Sequence, residues 1–161
     1  RDDGRTISST RIRESLGQGR MAETNRLLGY TYYCEGRAQP GLQQGRKLGF
    51  PTINVAWEPE ARPAFGVYAV RLRAGEGRWR RGVANYGVRP TLHREPVPPL
   101  LETHLLGRGP APGARARVRV EWLEFLRPEK KFPSLDALKT QIAHDCADAE
   151  KYFKKAASRR R

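Results

Sequence analysis

A short segment in the first third of the chain places oxygen-bearing side chains beside a glycine-rich loop. Its sequence is Gly41-Leu-Gln-Gln-Gly45-Arg46-Lys47-Leu48-Gly49, followed by Phe50-Pro51-Thr52-Ile53-Asn54. If residues 52–54 form a strand, the Thr52 hydroxyl and the Asn54 amide point to one face, about 7 Å apart along the chain. Neutral oxygens so placed suit Mg²⁺, which takes a few protein oxygens together with water and nucleotide phosphates.

The glycine-rich loop could itself bind phosphate through backbone N–H groups and positive charge, because three glycines and two cations fall within residues 41–49. The spacing differs from that of a Walker A loop. Only three residues separate Gly41 from Gly45, and neither Ser nor Thr follows Lys47. Taken alone, the segment is interpreted equally well as an ordinary basic hairpin loop.

A second segment, Leu101-Glu102-Thr103-His104-Leu105-Leu106, carries an acid in the middle of an apolar run. Strand alternation places Glu102 and His104 on one face and Thr103 on the other. Glu102 could be a general base that removes a proton from an attacking hydroxyl, or a surface charge paired with an arginine. His104 has no nucleophile motif beside it, so we expect it to play a supporting role.

Two further segments carry polar residues that could contact a ligand. Residues 82–91 predict a strand that ends in a turn rich in Gly and Pro, and residues 125–132 include Arg127. By themselves these residues have structural explanations as well, because Asn85 could satisfy a turn and Arg127 could neutralise the end of a strand. Neither segment specifies a ligand on its own.

The elements that must position these residues are short helices, a run of short strands and one long helix. Residues 8–28 predict two helices with a turn at Gly17 and Gly19. Alternating or β-branched runs predict strands over residues 30–38, 66–73, 79–86, 101–106 and 115–125. Loops rich in Gly or Pro are predicted at residues 40–49, 57–64, 74–78, 89–99 and 107–113. This spacing is typical of an antiparallel barrel or sandwich.

The last helix should begin after Ser134, whose hydroxyl can cap it. Apolar residues then recur every three or four positions and form one stripe that is expected to pack against the strands: Leu135, Leu138, Ile142, Cys146, Ala149 and Phe153. On this interpretation Cys146 is a small core residue.

The composition indicates one globular domain with a preference for anionic partners. The chain has 161 residues and a net charge of +14, with five cations in the tail Lys154, Lys155, Arg159, Arg160 and Arg161. Nucleic acid, phosphorylated ligands and acidic membranes all match that charge. No apolar run approaches the length of a membrane span, and Cys34 and Cys146 are too few for a disulfide framework. We therefore expect a soluble, cytoplasmic protein with reduced thiols.

Taken together, these motifs resemble the riboflavin kinase family, and in particular the C-terminal kinase module of bacterial bifunctional riboflavin kinase/FAD synthetases. The agreement runs from about residue 27 to residue 151 and keeps the motifs in order. The matching stretches are Gly36, the loop 41–49, and residues 48–54, 66–68, 82–91, 102–106 and 125–132. Two departures stand out, since Ile53 replaces a common Ala and Gly107-Arg108 replaces a common Asp-Phe.

The resemblance implies a mainly β protein, a six-stranded antiparallel Greek-key barrel with a C-terminal α-helix and short N-terminal helices. It implies transfer of the ATP γ-phosphate to the 5′-hydroxyl of riboflavin, with Mg²⁺ as cofactor. Glu102 would be the catalytic base, and Thr52 and Asn54 the metal ligands. The nucleotide-binding residues would be Gly41, Gly45, Arg46, Lys47, Gly49, Pro51, Thr52 and Asn54. The flavin-binding residues would be Asn85, Tyr86, Arg89, Thr91 and Arg127.

Residues 7–13 also resemble the phosphate-binding signature near the end of the adenylyltransferase module of those bifunctional enzymes. We therefore expect residues 1–26 to be a helical remnant of that module and residues 27–161 to be the riboflavin kinase domain. The adenylyltransferase needs an upstream nucleotide-binding sheet that residues 1–6 cannot contain. FAD synthesis is accordingly not expected from this chain.

Two alternatives of other classes stay open at this point. A basic nucleic-acid-binding barrel would interleave aromatics with cations on one strand face, as only Arg78-Trp79-Arg80-Arg81 does, so we do not expect nucleic acid as a partner. A non-catalytic FMN-binding barrel would need neither metal ligands nor an acid at Glu102. The sequence leaves the oligomeric state open.

Overall fold

The computed structural model describes residues 2–41, 47–88 and 98–159, and its centre is one antiparallel sheet. The helices with described bounds are α1 (Ser9–Gly17), α2 (Met21–Leu28) and α3 (Leu135–Ser158). The strands are β1 (Tyr33–Arg37), β2 (Gln39–Pro40), β3 (Thr52–Ala56), β4 (Gly66–Ala74), β5 (Arg80–Gly87), β6 (Leu100–Leu105) and β7 (Arg117–Pro128). The predicted pair of N-terminal helices and the predicted long final helix are confirmed.

The strand order is β1-β7-β4-β5-β6-β3-β2, with every neighbouring pair antiparallel. Strands β4, β5 and β6 follow one another, and β7 returns to lie beside β4, which is the Greek-key arrangement. The two sides of the sheet approach each other at Gly36 of β1, where an added Cβ would lie 2.6 Å from Val55 Cγ1 of β3. The sheet is thus nearly closed into a barrel, and a side chain at residue 36 would obstruct that closure.

Two details of the strands differ from the sequence-based prediction. The described residues contain seven strands rather than six, because Gln39 and Pro40 pair with Asn54 and Ile53 in the two-residue strand β2. Strand β7 also runs past residue 125 and includes Arg127, which pairs with Val67. The pairing of β4 with β7 shifts register between Val67 and Tyr68 and again between Ala69 and Val70. With these shifts the two strands stay paired as far as Arg127.

The barrel interior is an aromatic core around Trp122, which is fully buried. Its ring lies 4.7 Å from that of Tyr68, 5.3 Å from that of Tyr86 and 5.6 Å from that of Trp57. Leu16 of α1 and Met21 of α2 belong to the same cluster. The N-terminal helices therefore complete the core of the barrel.

Helix α3 covers part of the outer face of the sheet. Ser134 caps it by accepting a hydrogen bond from the Ala137 N–H, as predicted. Ala149 and Phe153 pack on Val67, Ala69 and Val83. The predicted apolar stripe is correct for this C-terminal half but wrong for Leu135, which is 59% exposed because the first turn does not pack against the sheet.

Within the described part of the chain, no helix has both the length and the apolar character required to span a membrane.

Candidate active site

Strand register brings polar residues from distant parts of the chain into one row across the outer face of the sheet. Asn54 of β3 pairs with Glu102 of β6, and Glu102 pairs with Asn85 of β5. The row continues through Val67 of β4 to Arg127 of β7. Directly paired residues of antiparallel strands project to the same face, with Cβ atoms about 5 Å apart. The predicted metal ligand Asn54, the predicted base Glu102 and the predicted flavin residue Asn85 therefore lie side by side. Val67 packs beneath α3 and separates them from Arg127.

A second row lies beside the first and contains the other predicted metal ligand. Thr52 of β3 pairs with His104 of β6, and His104 pairs with Val83 of β5. His104 Nδ1 lies 3.0 Å from the Pro51 carbonyl oxygen, which can only accept, so Nδ1 donates. The Phe50 ring packs edge-on against the imidazole at 5.3 Å. His104 thus braces the segment leading into Thr52, in keeping with the supporting role expected for it.

Gly41 lies directly over Thr52. Its N–H donates to the Thr52 carbonyl oxygen at 2.9 Å. A Cβ at Gly41 would clash with the Thr52 hydroxyl and would lie 2.5 Å from the Thr52 carbonyl oxygen. Only glycine fits this approach, so Gly41, the first residue of the predicted phosphate-binding loop, packs against a predicted metal ligand.

The rest of that predicted loop is partly described. Lys47, Gly49 and Pro51 are exposed, and Gly49 has a φ of 85°, a conformation that favours glycine. Gly45 and Arg46, also predicted to bind nucleotide, lie outside the described residues.

Asn54 carries a buried polar atom without a hydrogen-bond partner among the described residues. The side chain is 6% exposed, and its Oδ1 is one of the unsatisfied buried atoms. Such an acceptor is costly unless a ligand or ion satisfies it. An amide oxygen is a suitable Mg²⁺ ligand, and the Thr52 hydroxyl lies two residues away on the same face. The donor set therefore fits the metal that the sequence motif suggested.

A cleft of about 850 Å³ opens beside this row, lined by Arg37, Ala38, Gln39, Pro40, Ala114 and Arg115. Gln39 pairs with Asn54, so the cleft adjoins the predicted metal ligands. Arg115 has a φ of 65°, and its carbonyl oxygen accepts a hydrogen bond from Arg37 Nη1. Sequence reasoning missed these two arginines, because 78 residues separate them and only strand pairing joins them.

The predicted flavin residues on β5 separate onto two faces. Asn85 is half-buried on the outer row, whereas Tyr86 is fully buried in the aromatic core. Burial raises the pKa of the Tyr86 hydroxyl to about 12. Successive strand residues point to opposite faces, so Tyr86 supports the sheet from inside while Asn85 lies on its surface. Arg89 and Thr91 lie outside the described residues.

Arg127 ends the row in an ion pair with Asp145 of α3. Arg127 Nε lies 2.7 Å from Asp145 Oδ1, and Nη2 lies 2.7 Å from Oδ2. Sequence reasoning missed Asp145. A signal was present, since Asp145 lies three residues after Ile142 and four before Ala149, which places it on the apolar stripe.

Comparisons with known proteins agree with this architecture. The family model described as Flavokinase, riboflavin kinase, matches residues 28–153. The bifunctional riboflavin kinase/FMN adenylyltransferase of Haemophilus influenzae is 40% identical over 151 residues, covering 94% of this chain and 48% of that protein. The chain thus spans about half the length of this relative.

Two solved structures share the fold. A protein of Streptococcus pneumoniae described as a macrolide-efflux protein superposes with a TM-score of 0.78 at 30% identity, covering 89% of this chain and 46% of that one. Riboflavin kinase from Trypanosoma brucei superposes with a TM-score of 0.53 at 19% identity, covering 76% of this chain and 80% of that one. Because the family model matches more than half of the sequence, the chain belongs to the riboflavin kinase family.

Proposed function

We propose that this chain transfers the γ-phosphate of ATP to the 5′-hydroxyl of riboflavin, forming ADP and FMN. The observation that carries the proposal is the register of Asn54, Glu102 and Asn85 on three adjacent strands. The Glu102 carboxylate lies between the amides of Asn54 and Asn85, beside the loop that begins at Gly41. These are groups of the kind that phosphoryl transfer requires. That reaction depends mainly on positioning and on charge neutralisation.

Glu102 acts as the general base in this proposal. The carboxylate accepts the proton of the ribityl 5′-hydroxyl as the oxygen attacks the γ-phosphorus and ADP leaves. Its two cross-strand neighbours divide the site, with Asn54 on the nucleotide side and Asn85 on the flavin side. General acid–base assistance of this kind contributes about 10²–10⁴ to a rate.

The nucleotide side is formed by β3 and the loop anchored at Gly41. Mg²⁺ held by Thr52 and Asn54 would neutralise charge on the nucleotide phosphates. Glycine at position 41 lets the backbone approach the Thr52 hydroxyl without a clash. The cleft lined by Arg37 and Arg115 offers two further cations within reach of the phosphates or the base.

The flavin side lies toward α3, with Asn85 and Arg127 as its described polar groups. Arg127 lies three strands from Glu102, beyond Val67, so it would meet the flavin away from the reacting 5′-hydroxyl. Tyr86 contributes by holding β5 from inside the barrel. Arg89 and Thr91 complete the proposed flavin set.

We further propose the cytoplasm as the location, because ATP is an intracellular substrate. Residues 1–26 are proposed to derive from an adenylyltransferase module, which is supported by a family match that begins only at residue 28 while the longer bifunctional relative aligns over 94% of the chain. Here α1 and α2 also serve the barrel core.

The alternative functions find less support. Trp79, the aromatic in the basic segment, has Arg71 and Arg73 over its ring at 4.7 and 4.9 Å, so the protein's own guanidinium groups cover the indole. Base stacking on this residue would have to displace them. A non-catalytic FMN-binding barrel gives no reason for a carboxylate beside an unsatisfied amide oxygen.

Incubation with riboflavin, ATP and Mg²⁺, followed by chromatographic separation of flavins, tests the proposal. We expect FMN to accumulate without FAD. A chain that binds FMN but does not form it would favour the non-catalytic barrel. Conversion of FMN to FAD would contradict the assignment of kinase activity alone.

A further inference from the structure

A buried ion pair joins the last strand of the sheet to α3 at the end of the candidate site. Asp145 is 4% exposed, and both of its oxygens accept hydrogen bonds from the Arg127 guanidinium at 2.7 Å. Gln141, one turn earlier on α3, donates to Asp145 Oδ1 at 3.0 Å. The Arg127 side chain is 20% exposed. This bidentate geometry fixes the plane of the guanidinium as well as its position.

Docking of the helix does not explain why these charges are buried. Ala149 and Phe153 already pack α3 against Val67, Ala69 and Val83. Removing two charges from water carries a desolvation penalty that well-packed apolar residues would avoid. A buried pair at this place is better explained by the orientation it imposes on the arginine.

Arg127 retains hydrogen-bonding capacity after pairing with Asp145. A guanidinium has five N–H donors. Nε and Nη2 each donate to Asp145, and Nη1 donates to the Pro128 carbonyl oxygen at 3.0 Å. Two N–H groups are left over from these three bonds. Because the negative charge of Asp145 offsets the positive charge of Arg127, the two remaining N–H groups would bind an oxygen through the geometry of their hydrogen bonds rather than through a net positive charge.

We propose that Asp145 is a positioning residue that orients Arg127 toward bound riboflavin. The inference rests on the proposed function. It assigns to α3 a part in flavin recognition, in which the remaining Arg127 N–H groups meet an oxygen of the flavin away from the reacting 5′-hydroxyl, since Arg127 lies three strands from Glu102.

Asp145→Asn tests the positioning role, because it keeps the shape of the side chain and removes the negative charge that holds the Arg127 guanidinium in place. We expect the dissociation constant of riboflavin, measured by quenching of its fluorescence, to rise roughly tenfold with loss of a charge-assisted hydrogen bond. The KM for riboflavin should rise in parallel, and the KM for ATP should stay within about twofold of wild type. A purely structural role would not separate the two substrates. If Asp145→Asn fails to fold, Arg127→Lys is the second variant. It keeps the positive charge but loses the planar guanidinium, and it should raise the dissociation constant and the KM of riboflavin in the same way.

A double variant separates orientation from stability. In an Arg127→Met background, Asp145→Asn should leave the riboflavin constants unchanged while raising the melting temperature, because it neutralises a buried carboxylate that has lost its cationic partner and, among the described residues, keeps only the hydrogen bond from Gln141. Asp148→Asn, on the same helix but exposed, is the matched control and should alter neither constant.

The positioning role would be overturned if Asp145→Asn left the dissociation constant and the KM of riboflavin within twofold of wild type. It would also be overturned if the effects of Arg127→Met and Asp145→Asn on these constants were additive in the double variant. The proposed function would survive both results. It fails instead, together with the positioning role, if the wild-type chain neither binds nor phosphorylates riboflavin.

Discussion

Replacement of Asn54 by leucine should improve stability and abolish function at the same time. The side chain is 6% exposed, and its Oδ1 has no partner among the described residues. A buried acceptor left unsatisfied costs about 1–3 kcal/mol. Leucine has the same branched arrangement of four side-chain heavy atoms and no polar atom, so Asn54→Leu should stabilise the ligand-free chain by about that amount. For a chain of this length each kcal/mol corresponds to about 2–4 °C in Tm.

The same substitution removes one of the two oxygens proposed to hold Mg²⁺. A nucleotide present at about 100 times its Kd stabilises a protein by about 2.7 kcal/mol, which should raise the wild-type Tm by about 5–10 °C. Asn54→Leu should lose most of this MgATP-dependent rise and most FMN formation. Differential scanning fluorimetry with and without MgATP measures both effects on one instrument.

Thr103→Val is the matched control. Thr103 is fully buried on β6 with an unsatisfied Oγ1, but it pairs with Ile53 on the core face. Its replacement should give a comparable gain in Tm and leave turnover unchanged. An Asn54→Leu variant that melts lower than wild type yet still responds to MgATP would refute the reasoning, because the amide would then serve the fold rather than a ligand.

Three further outcomes follow from the structure. Thr52→Ala should raise the Mg²⁺ concentration needed for half-maximal FMN formation, and an unchanged metal titration would remove Thr52 from the metal site. Leu16→Ala should lower the free energy of unfolding in urea by about 2–5 kcal/mol, because Leu16 is 2% exposed in the barrel core. A decrease below about 0.5 kcal/mol would show that α1 does not pack in that core. Burial raises the pKa of Cys34 to about 12 and that of Cys146 to about 11, so both thiols stay protonated at pH 8, and mass spectrometry should find slow alkylation of the native chain by iodoacetamide. Alkylation as fast as in urea would contradict that burial.

The local parts of this site were predictable because they depend on neighbouring residues. Alternation alone placed Thr52 and Asn54 on one face and Glu102 and His104 on one face. Ser134 and the repeat that follows it identified α3 through capping and periodicity.

The assembly of the site was harder to predict, because alternation does not say which strands are neighbours. Asn54 and Glu102 meet only because β3 pairs with β6 rather than with the next strand along the chain. Strand β2 forms for the same reason, since β3 supplies the partners of Gln39, which follows a predicted strand, and of Pro40, the first residue of a predicted loop. The cleft arginines and the Arg127–Asp145 pair also depend on tertiary contacts. The apolar stripe places Asp145 on the packed face of α3, but it does not show that Arg127 is its partner.

The single-turnover rate of FMN formation by Glu102→Gln tests the central claim most directly. Glutamine keeps the shape of the side chain and its place between Asn54 and Asn85, but it cannot accept the hydroxyl proton. The rate constant should fall by about 10²–10⁴, while riboflavin and MgATP bind with wild-type affinity and Tm changes little. A Glu102→Gln variant with wild-type turnover would contradict the account, since Glu102 would then be a surface charge and the row would not be the catalytic centre.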